Sequence, residues 1–311
     1  MTSHTLTHPI LDDTDYTIAN KKHPWRWVSG AIILFAFGML AYSAATNPRF
    51  RWDIIGLYFR DTSIAQGIQI TLLLTVVCML LGIVLGIILA VMRLSVNPIV
   101  RGAAGFYVFA FRGTPVLVQL LLWYNLAALY PDITFGLPGV HLNANQIVTP
   151  LMAAILGLGL NEAAYMSEIV RAGILSVDPG QSEAAGALGL NRLQTMIKVV
   201  LPQAMRVIIP PTGNETIGML KNTSLVSVLA VSELLYSTQV IYAKNFQVIP
   251  LLLVASIWYI IMTTVFTVGQ SWLEKRFSRG STRNVQVSWI DRIRKAMRTH
   301  DPVATGKVSS P

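Results

Sequence analysis

The sequence predicts an all-α membrane protein with six transmembrane helices, and three observations lead to that fold class. Only 13% of the 311 residues are charged, whereas a soluble domain carries about 25%. The mean hydropathy is +0.55, so much of the surface must face a non-aqueous solvent. Six apolar segments are long enough to cross a bilayer as a helix, which needs about 20 residues. They are Trp27–Thr46, Ser63–Leu94, Ala104–Tyr130, Gln146–Arg171, Gln203–Leu234 and Gln247–Leu273.

The positions of lysine and arginine predict that both termini lie in the cytoplasm. Basic residues concentrate on the cytoplasmic side of membrane proteins. With a cytoplasmic N-terminus, nineteen of the 24 basic residues fall inside and four fall outside. The net charge of +9 therefore reflects basic cytoplasmic segments. It does not indicate a nucleic-acid partner, because no recognition motif accompanies the charge.

Residues 1–26 are polar and are predicted to form a cytoplasmic tail before the first transmembrane helix, 27–46. Basic residues before this apolar run and small residues at its end also fit a cleaved signal peptide. The long polar leader and the nearly full spanning length favour a retained helix. The other five helices keep their orientation under either interpretation.

Residues 278–311 are predicted to form a basic cytoplasmic tail. Within it, Trp289, Ile290, Ile293 and Met297 recur near helical spacing among arginines and lysines. That pattern is typical of a short helix lying on anionic lipid. A solvated tail with an incidental apolar stripe is the alternative.

Gly82 and Gly86 form a Gly-x-x-x-Gly spacing in the second apolar segment. Small residues allow helix backbones to approach closely. The spacing predicts that this helix packs against another part of the protein.

Residues 176–202 are too polar to span a membrane and predict two short helices. Asp178, directly before a proline, is typical of a helix start. Glycines such as Gly189 interrupt the helix that follows, and Asn191 can cap a second one. The second helix is predicted over Arg192–Val200, ending before Pro202.

The same segment resembles the cytoplasmic "EAA loop" of bacterial ABC importer permeases, which docks on a separate ATPase subunit. The matching residues, at the spacing of that motif, are Glu183, Ala184, Ala185, Gly189, Leu201 and Pro202. Val199 stands where the motif usually has isoleucine, which keeps the position apolar. Small residues permit close approach of a partner, and Glu183 offers it a fixed charge. An ordinary amphipathic connector is the alternative, and the complete spacing favours docking.

Further segments narrow the resemblance to permeases of the polar amino acid uptake subfamily, the histidine and glutamine type. They are Phe111–Pro115, Ala164–Ile174, Leu201–Ala204 and Lys221–Leu225. The resemblance covers residues 63–277 and implies a five-helix ABC importer permease core, with 27–46 as an additional helix and 176–202 as the coupling loop. It also implies a bacterial inner membrane location, two ATPase subunits, a second permease subunit, identical or related, and a periplasmic or surface-tethered binding protein.

The sequence holds no Gly-x-x-x-x-Gly-Lys-Ser/Thr run, the motif that cradles nucleotide phosphates. The chain is therefore predicted to be a non-catalytic membrane subunit with no metal site and no cofactor of its own. ATP and Mg are expected on the partner ATPase.

Polar residues at membrane depth are functional candidates, because placing them there is costly. The candidates for the substrate path are Asn161, Glu162, Asn214 and Lys221. Glu162 could meet the ammonium of an amino acid or pair with Lys221, and the two asparagines could instead link helices. Glu168 lies nearer the cytoplasm and is predicted to form a structural ion pair with Arg171 or Arg112.

The predicted function is that of the transmembrane subunit of an ATP-driven importer, translocating a polar amino acid delivered by a binding protein. A secondary, ion-coupled transporter is the main alternative. It would be expected to show coupling carboxylates, broken helices or internal repeats at the membrane midplane, and no repeat is visible. A membrane-anchored assembly protein without a transport role is the second alternative.

Overall fold

The computed structural model describes residues 24–133 and 142–277, and nearly all of them are helical, as predicted. The α-helices of these ranges are α1 (Pro24–Thr46), α2 (Trp52–Tyr58), α3 (Thr62–Arg93), α4 (Pro98–Gly113), α5 (Val116–Tyr124), α6 (Leu126–Leu129), α7 (Ala144–Ile147), α8 (Pro150–Leu175), α9 (Pro179–Ala187), α10 (Arg192–Thr195), α11 (Leu201–Asn222), α12 (Leu234–Asn245) and α13 (Val248–Phe277). There are 3-10 helices at Pro48–Phe50 and Thr223–Leu229 and a π-helix at Met196–Val200. Two short strands, β1 (Asp132–Ile133) and β2 (Leu142–Asn143), pair antiparallel with Asp132 opposite Asn143.

The chain divides into a unit that ends at Asp53 and a unit that begins at Ile54. In the first unit, the indole of Trp52 donates a hydrogen bond at 3.0 Å to the carbonyl of Ala44, near the end of α1. The predicted tail 1–26, apart from its last three residues, lies outside the described residues. The predicted lipid-bound helix in the tail 278–311 also lies outside them.

Three described helices, α1, α3 and α13, are long and apolar enough to cross a membrane. Two bent pairs would raise the number to five: α4 with α5, and the segment ending at Leu229 with α12. Helix α8, with 26 residues, is also long enough to cross a membrane. Polar residues such as Asn161 and Glu162 make it less apolar than α1, α3 and α13, so it is not among the three. Length and composition therefore establish a multi-pass helical protein without fixing the predicted count of six.

The prediction of Ala104–Tyr130 as one helix is wrong, because α4 and α5 meet at an angle of 102°. Pro115 explains the bend, since proline lacks an N–H group and restricts the preceding residue to extended conformations. Thr114 accordingly has φ −118° and ψ 143°. Helix α4 also begins earlier than predicted, where the Asn97 side chain accepts a backbone N–H at 2.9 Å.

The predicted fifth span, Gln203–Leu234, is interrupted near its end. Pro210 and Pro211 lie inside α11 without ending it. The chain changes to a 3-10 helix after α11 and turns at Ala230, where φ is 60°. Glu233 then caps α12 by accepting two backbone N–H groups at 2.9 and 2.7 Å.

The core is built on α3 and α8, which approach each other at glycines. A Cβ atom added at Gly82 would lie 2.5 Å from Cγ of Glu162. One added at Gly86 would lie 2.5 Å from Cβ of Met166. The predicted packing role of the Gly-x-x-x-Gly spacing is therefore confirmed.

Replacing Gly86 by alanine is expected to lower the free energy of unfolding by about 1–3 kcal/mol, because the added methyl group forces α3 and α8 apart. Gly105→Ala in α4 is the matched control, since nothing lies within 4 Å of its added Cβ and alanine favours a helix over glycine. Thermal unfolding in detergent should give a lower Tm for Gly86→Ala alone. Equal Tm values for the two variants would contradict close packing at Gly86.

Candidate functional site

The segment between α8 and α11 folds as two short helices joined by a tight turn. The Asp178 side chain caps α9 by accepting a backbone N–H at 2.7 Å. At the other end of α9, the Leu190 N–H donates to the Ala185 carbonyl at 3.1 Å and the Gly189 N–H donates to the Gly186 carbonyl at 2.9 Å. These bonds form a Schellman motif, in which one residue takes the left-handed conformation. Gly189 is that residue, with φ 77°, so the predicted bend is confirmed.

The second helix, α10, starts as predicted but does not end as predicted. Asn191 and Gln194 form a reciprocal capping box with distances of 2.9 and 3.0 Å. The predicted end before Pro202 is wrong, because the π-helix Met196–Val200 runs directly into α11. Pro202 occupies the first turn of α11, a position that tolerates proline. The wider π turn therefore joins the loop to α11 without a break.

The loop presents two carboxylates, those of Asp178 and Glu183, with several small residues and several apolar side chains at its surface. Ala185 is buried. The exposed motif residues are Glu183, Ala184, Gly189, Leu201 and Pro202. Beside them, Leu188, Leu193 and Ile197 are also exposed. Clustered exposed apolar groups are typical of a surface that contacts protein or membrane.

Two amide side chains hold the break between α4 and α5. Nε2 of Gln119 donates to the carbonyls of Phe111 and Thr114 at 2.8 and 3.1 Å. Nδ2 of Asn161, in α8, donates to the Phe111 carbonyl at 2.9 Å and to Oε1 of Gln119 at 3.2 Å. These bonds satisfy carbonyl groups that lose their helical partners at the bend. Asn161 thus links two helices, one of the two roles predicted for it.

A cavity of about 560 Å³ lies between this break, α8 and α11. Its polar lining includes Arg112, Asn161, Glu162, Tyr165, Glu215 and Asn222. Glu162 is only 4% exposed, and its Oε1 atom has no hydrogen-bond partner among the described residues. Because buried polar atoms normally have a partner, this oxygen marks Glu162 as a candidate for a functional role. No group of three or more His, Cys, Asp or Glu side chains in the described ranges could hold a metal ion.

Of the four residues predicted for the substrate path, two line the cavity and two do not. Asn161 and Glu162 line the cavity. Asn214 is exposed and accepts a hydrogen bond from Nε2 of Gln270 at 2.9 Å. Lys221 is also exposed, and the salt bridges of the described residues do not include the predicted pair with Glu162.

Two residues of α11 that line the cavity, Glu215 and Asn222, are missing from that prediction. They are seven residues apart and therefore share one face of the helix. Asn214 and Lys221 have the same spacing on a face rotated by about 100°. The spacing is visible in the sequence, but only the packing of α11 against α8 decides which face meets the cavity.

Glu168, near the end of α8, lies among three arginines. Its carboxylate is 3.1 Å from Nη2 of Arg171 and 3.5 Å from Nη1 of Arg112. It also forms a salt bridge with Arg93 at the end of α3, a partner absent from the sequence prediction. The Arg112 guanidinium lies 5.1 Å from the centre of the Tyr165 ring. This cluster ties α3, α4 and α8 together beside the cavity, with three positive groups and one negative group.

Comparisons with known proteins agree on one family. The family model for the binding-protein-dependent transport system inner membrane component matches residues 82–279. The chain is 48% identical over 265 residues to the arginine transport system permease protein ArgU of Corynebacterium glutamicum, a match that covers 85% of this chain and 84% of that protein. It is 36% identical over 229 residues to the L-cystine transport system permease protein TcyB of Bacillus subtilis, covering 73% and 92% of the two chains.

A solved structure shows the same relationship in three dimensions. The crystal structure of an amino acid ABC transporter with histidines superposes with a TM-score of 0.59 at 36% identity, covering 69% of this chain and 94% of that one. The family match includes the ion cluster around Glu168, the cavity and the loop with Glu183. The chain therefore belongs to the family of binding-protein-dependent transport system inner membrane components, the permease subunits of ABC importers.

Proposed function

We propose that this protein is the transmembrane subunit of an ATP-driven importer that moves a polar amino acid across the bacterial cytoplasmic membrane. The cavity is the observation that carries this proposal, because Glu162, a buried carboxyl group with one oxygen that has no partner in the described chain, is among the residues that line it. Relatives named for arginine and cystine transport support an amino acid as the substrate. Arginine fits Glu162 and Glu215 well, since its amino group and its guanidinium are both cationic.

The proposed topology has six spans. Helix α1 is the additional helix, and α3, the bent pair α4–α5, α8, the bent pair ending in α12, and α13 form the permease core over 63–277. The polar residues of α8 are tolerated because they face protein and the cavity. The distribution of lysine and arginine supports cytoplasmic termini and a cytoplasmic loop at 176–202.

The loop at 176–202 is the proposed docking element for a separate ATPase that binds ATP and Mg. Its exposed Glu183 and the apolar Leu188 and Ile197 suit a protein partner. Two ATPase subunits, a second permease subunit and a substrate-binding protein would complete the importer. Closure of the ATPase pair would reach the membrane helices as rigid-body motion of the docked loop.

Reconstitution tests this function. The protein is placed in proteoliposomes with a co-encoded ATPase and binding protein, and uptake of radiolabelled L-arginine is measured with ATP, with ADP and without nucleotide. Uptake that requires both the ATPase and ATP is expected. Uptake at full rate without either one would contradict the proposal and favour the ion-coupled alternative.

Replacing Glu162 by glutamine is expected to slow uptake at a low L-arginine concentration about tenfold, because a hydrogen bond to a charged group contributes about 1.5–3 kcal/mol. Asn214→Ala is the matched control, since it removes a polar side chain of the neighbouring α11 that lies outside the cavity lining. Initial uptake rates are compared at equal amounts of reconstituted protein. Equal rates for wild type and Glu162→Gln would contradict substrate contact at Glu162.

A further inference from the structure

The ion cluster around Glu168 holds more positive than negative charge. Arg93, Arg112 and Arg171 all lie within salt-bridge distance of this one carboxylate. Within the described residues, the hydrogen bonds of the three guanidiniums use one N–H group of Arg93 and two of Arg171, and all of them are donated to Glu168. A guanidinium carries several more N–H donors than these. Most donors of the cluster therefore have no acceptor in the described chain.

The excess positive charge is only partly screened. The arginine side chains are 19–43% exposed, so a ligand can reach them, but water and salt screen their mutual repulsion less than on an open surface. The Glu215 carboxylate acts electrostatically on Arg112 from the cavity wall. Arg93 and Arg171 have no carboxylate other than Glu168 in the described salt bridges. A second anion beside them would reduce the repulsion and accept the unused hydrogen bonds.

The fold places this cluster at the end of the α3–α8 pair from which the loop 176–202 begins. Gly82 of α3 packs on Glu162 of α8, and one turn later Gly86 packs on Met166. Because both positions advance together, the two helices run in the same direction and end on the same side. The loop continues directly from α8, so in the proposed topology that side is cytoplasmic.

The two arginines that depend on Glu168 alone lie close to these helix ends. Arg93 is the last residue of α3, and Arg171 lies about one turn before Leu175, the last residue of α8. In the proposed topology their guanidiniums therefore lie near the boundary between the membrane and the cytoplasm. Phosphate groups are present at this boundary both in the headgroups of anionic phospholipids and as soluble anions.

We propose that Arg93 and Arg171, together with Arg112, form a binding site for a phosphate group. A planar guanidinium matches a phosphate with two parallel hydrogen bonds, and three guanidiniums from α3, α4 and α8 converge here. Basic pockets between membrane helices on the cytoplasmic side are typical sites for lipid headgroups, and a soluble phosphate offers the same chemistry. The bound phosphate holds the ends of the three helices together. This site goes beyond the proposed function, because it involves neither the transported amino acid nor the ATPase.

Two substitutions in the cluster are expected to change the phosphate affinity in opposite directions. Arg171→Gln removes one guanidinium, and phosphate then binds about tenfold more weakly. Glu168→Gln removes the carboxylate that competes for the same donors, and phosphate then binds about tenfold more tightly. A general loss of stability would weaken binding in both variants. Arg101→Gln is the control for net charge, since Arg101 is an exposed residue of α4 outside the cluster.

The measurement is the Tm of the full-length protein in detergent, washed until a phosphorus assay detects no bound phospholipid. Sodium phosphate is titrated against sodium chloride at equal ionic strength. In a second series, dioleoylphosphatidate is titrated against dioleoylglycerol, which lacks only the phosphate. Wild type and Arg101→Gln are expected to gain about 3 °C at about ten times the half-saturating concentration. A gain with sodium phosphate assigns the site to a soluble anion, and a gain with dioleoylphosphatidate alone assigns it to a lipid headgroup.

Three results would overturn the phosphate site. One is a wild-type Tm that responds to neither phosphate compound more than to its control. Another is a folded Arg171→Gln variant with wild-type affinity, and the third is a Glu168→Gln variant whose affinity is not increased. If one of the two variants fails to fold, the other one decides. Amino acid uptake does not enter these measurements, so the proposed function stands under all three results.

Discussion

Replacing Gly189 by valine is expected to reduce ATP-dependent uptake at least tenfold. Gly189 has φ 77°, a left-handed conformation that costs an ordinary L-residue about 1–2 kcal/mol and a β-branched residue more. Nothing lies within 4 Å of a Cβ added there, so the strain comes from the backbone alone. The end of α9 would unwind, and Glu183 would no longer be presented at a fixed position. The readout is ATP-dependent uptake in proteoliposomes, together with the amount of ATPase that co-purifies.

Gly189→Asn is the matched control for this prediction. Asparagine fills the same open space but adopts the left-handed conformation more readily, so most of the uptake should be retained. Glu183→Ala complements it by removing only an exposed charge, and weaker ATPase binding with an unchanged Tm is expected. Similar uptake by the valine and asparagine variants would show that the turn at Gly189 does not matter for coupling.

Replacing Glu168 by glutamine is expected to lower the free energy of unfolding by about 2–3 kcal/mol. The substitution leaves Arg93, Arg112 and Arg171 close together without a carboxylate. Removing one partner of a fully buried ion pair costs about 3–5 kcal/mol, and the loss here is smaller because the four side chains are 19–43% exposed. The corresponding fall in Tm is about 5–10 °C for a domain of this size.

An exposed salt bridge in the same chain provides the control for Glu168. Arg51 and Asp53 are 3.3 Å apart and largely exposed, so Asp53→Asn should change the free energy of unfolding by less than about 1 kcal/mol. Adding Arg93→Gln to Glu168→Gln should restore part of the lost stability, since one unpaired guanidinium is removed. A Tm for Glu168→Gln equal to that of Asp53→Asn would contradict the structural role of the cluster.

Local chemistry explains which features were predictable from the sequence. The caps at Asp178 and Asn191 and the turn at Gly189 depend on residues within a few positions of one another, and all three are present. Hydropathy, by contrast, averages over a whole segment. The average hydropathy therefore gave no sign of the bend at Pro115. The Gly-Thr-Pro sequence before α5 is a turn signal, and it could have predicted that bend.

Tertiary packing explains what the sequence could not supply. Arg93 and Glu168 are 75 residues apart, and nothing local indicates that they meet. Asn214 and Lys221 have the same spacing as the cavity residues Glu215 and Asn222, so only the rotation of α11 against α8 separates the two pairs. The sequence does not predict the π-helix before Pro202 either. A proline can follow the end of one helix or stand in the first turn of the next, and the sequence alone does not decide between these positions.

The π-helix Met196–Val200 has a mechanical consequence, because it connects the loop to α11 as one continuous helical segment. Leu201, near the end of the loop segment, and Glu215, in the cavity wall, lie about 21 Å apart along the helix axis at 1.5 Å per residue. A tilt of about 10° at the loop would therefore shift the wall by about 4 Å over that length. Because helices bend at π turns and at prolines, substitutions at 196–200 or at Pro210 and Pro211 are expected to change how much of such a tilt reaches the cavity wall.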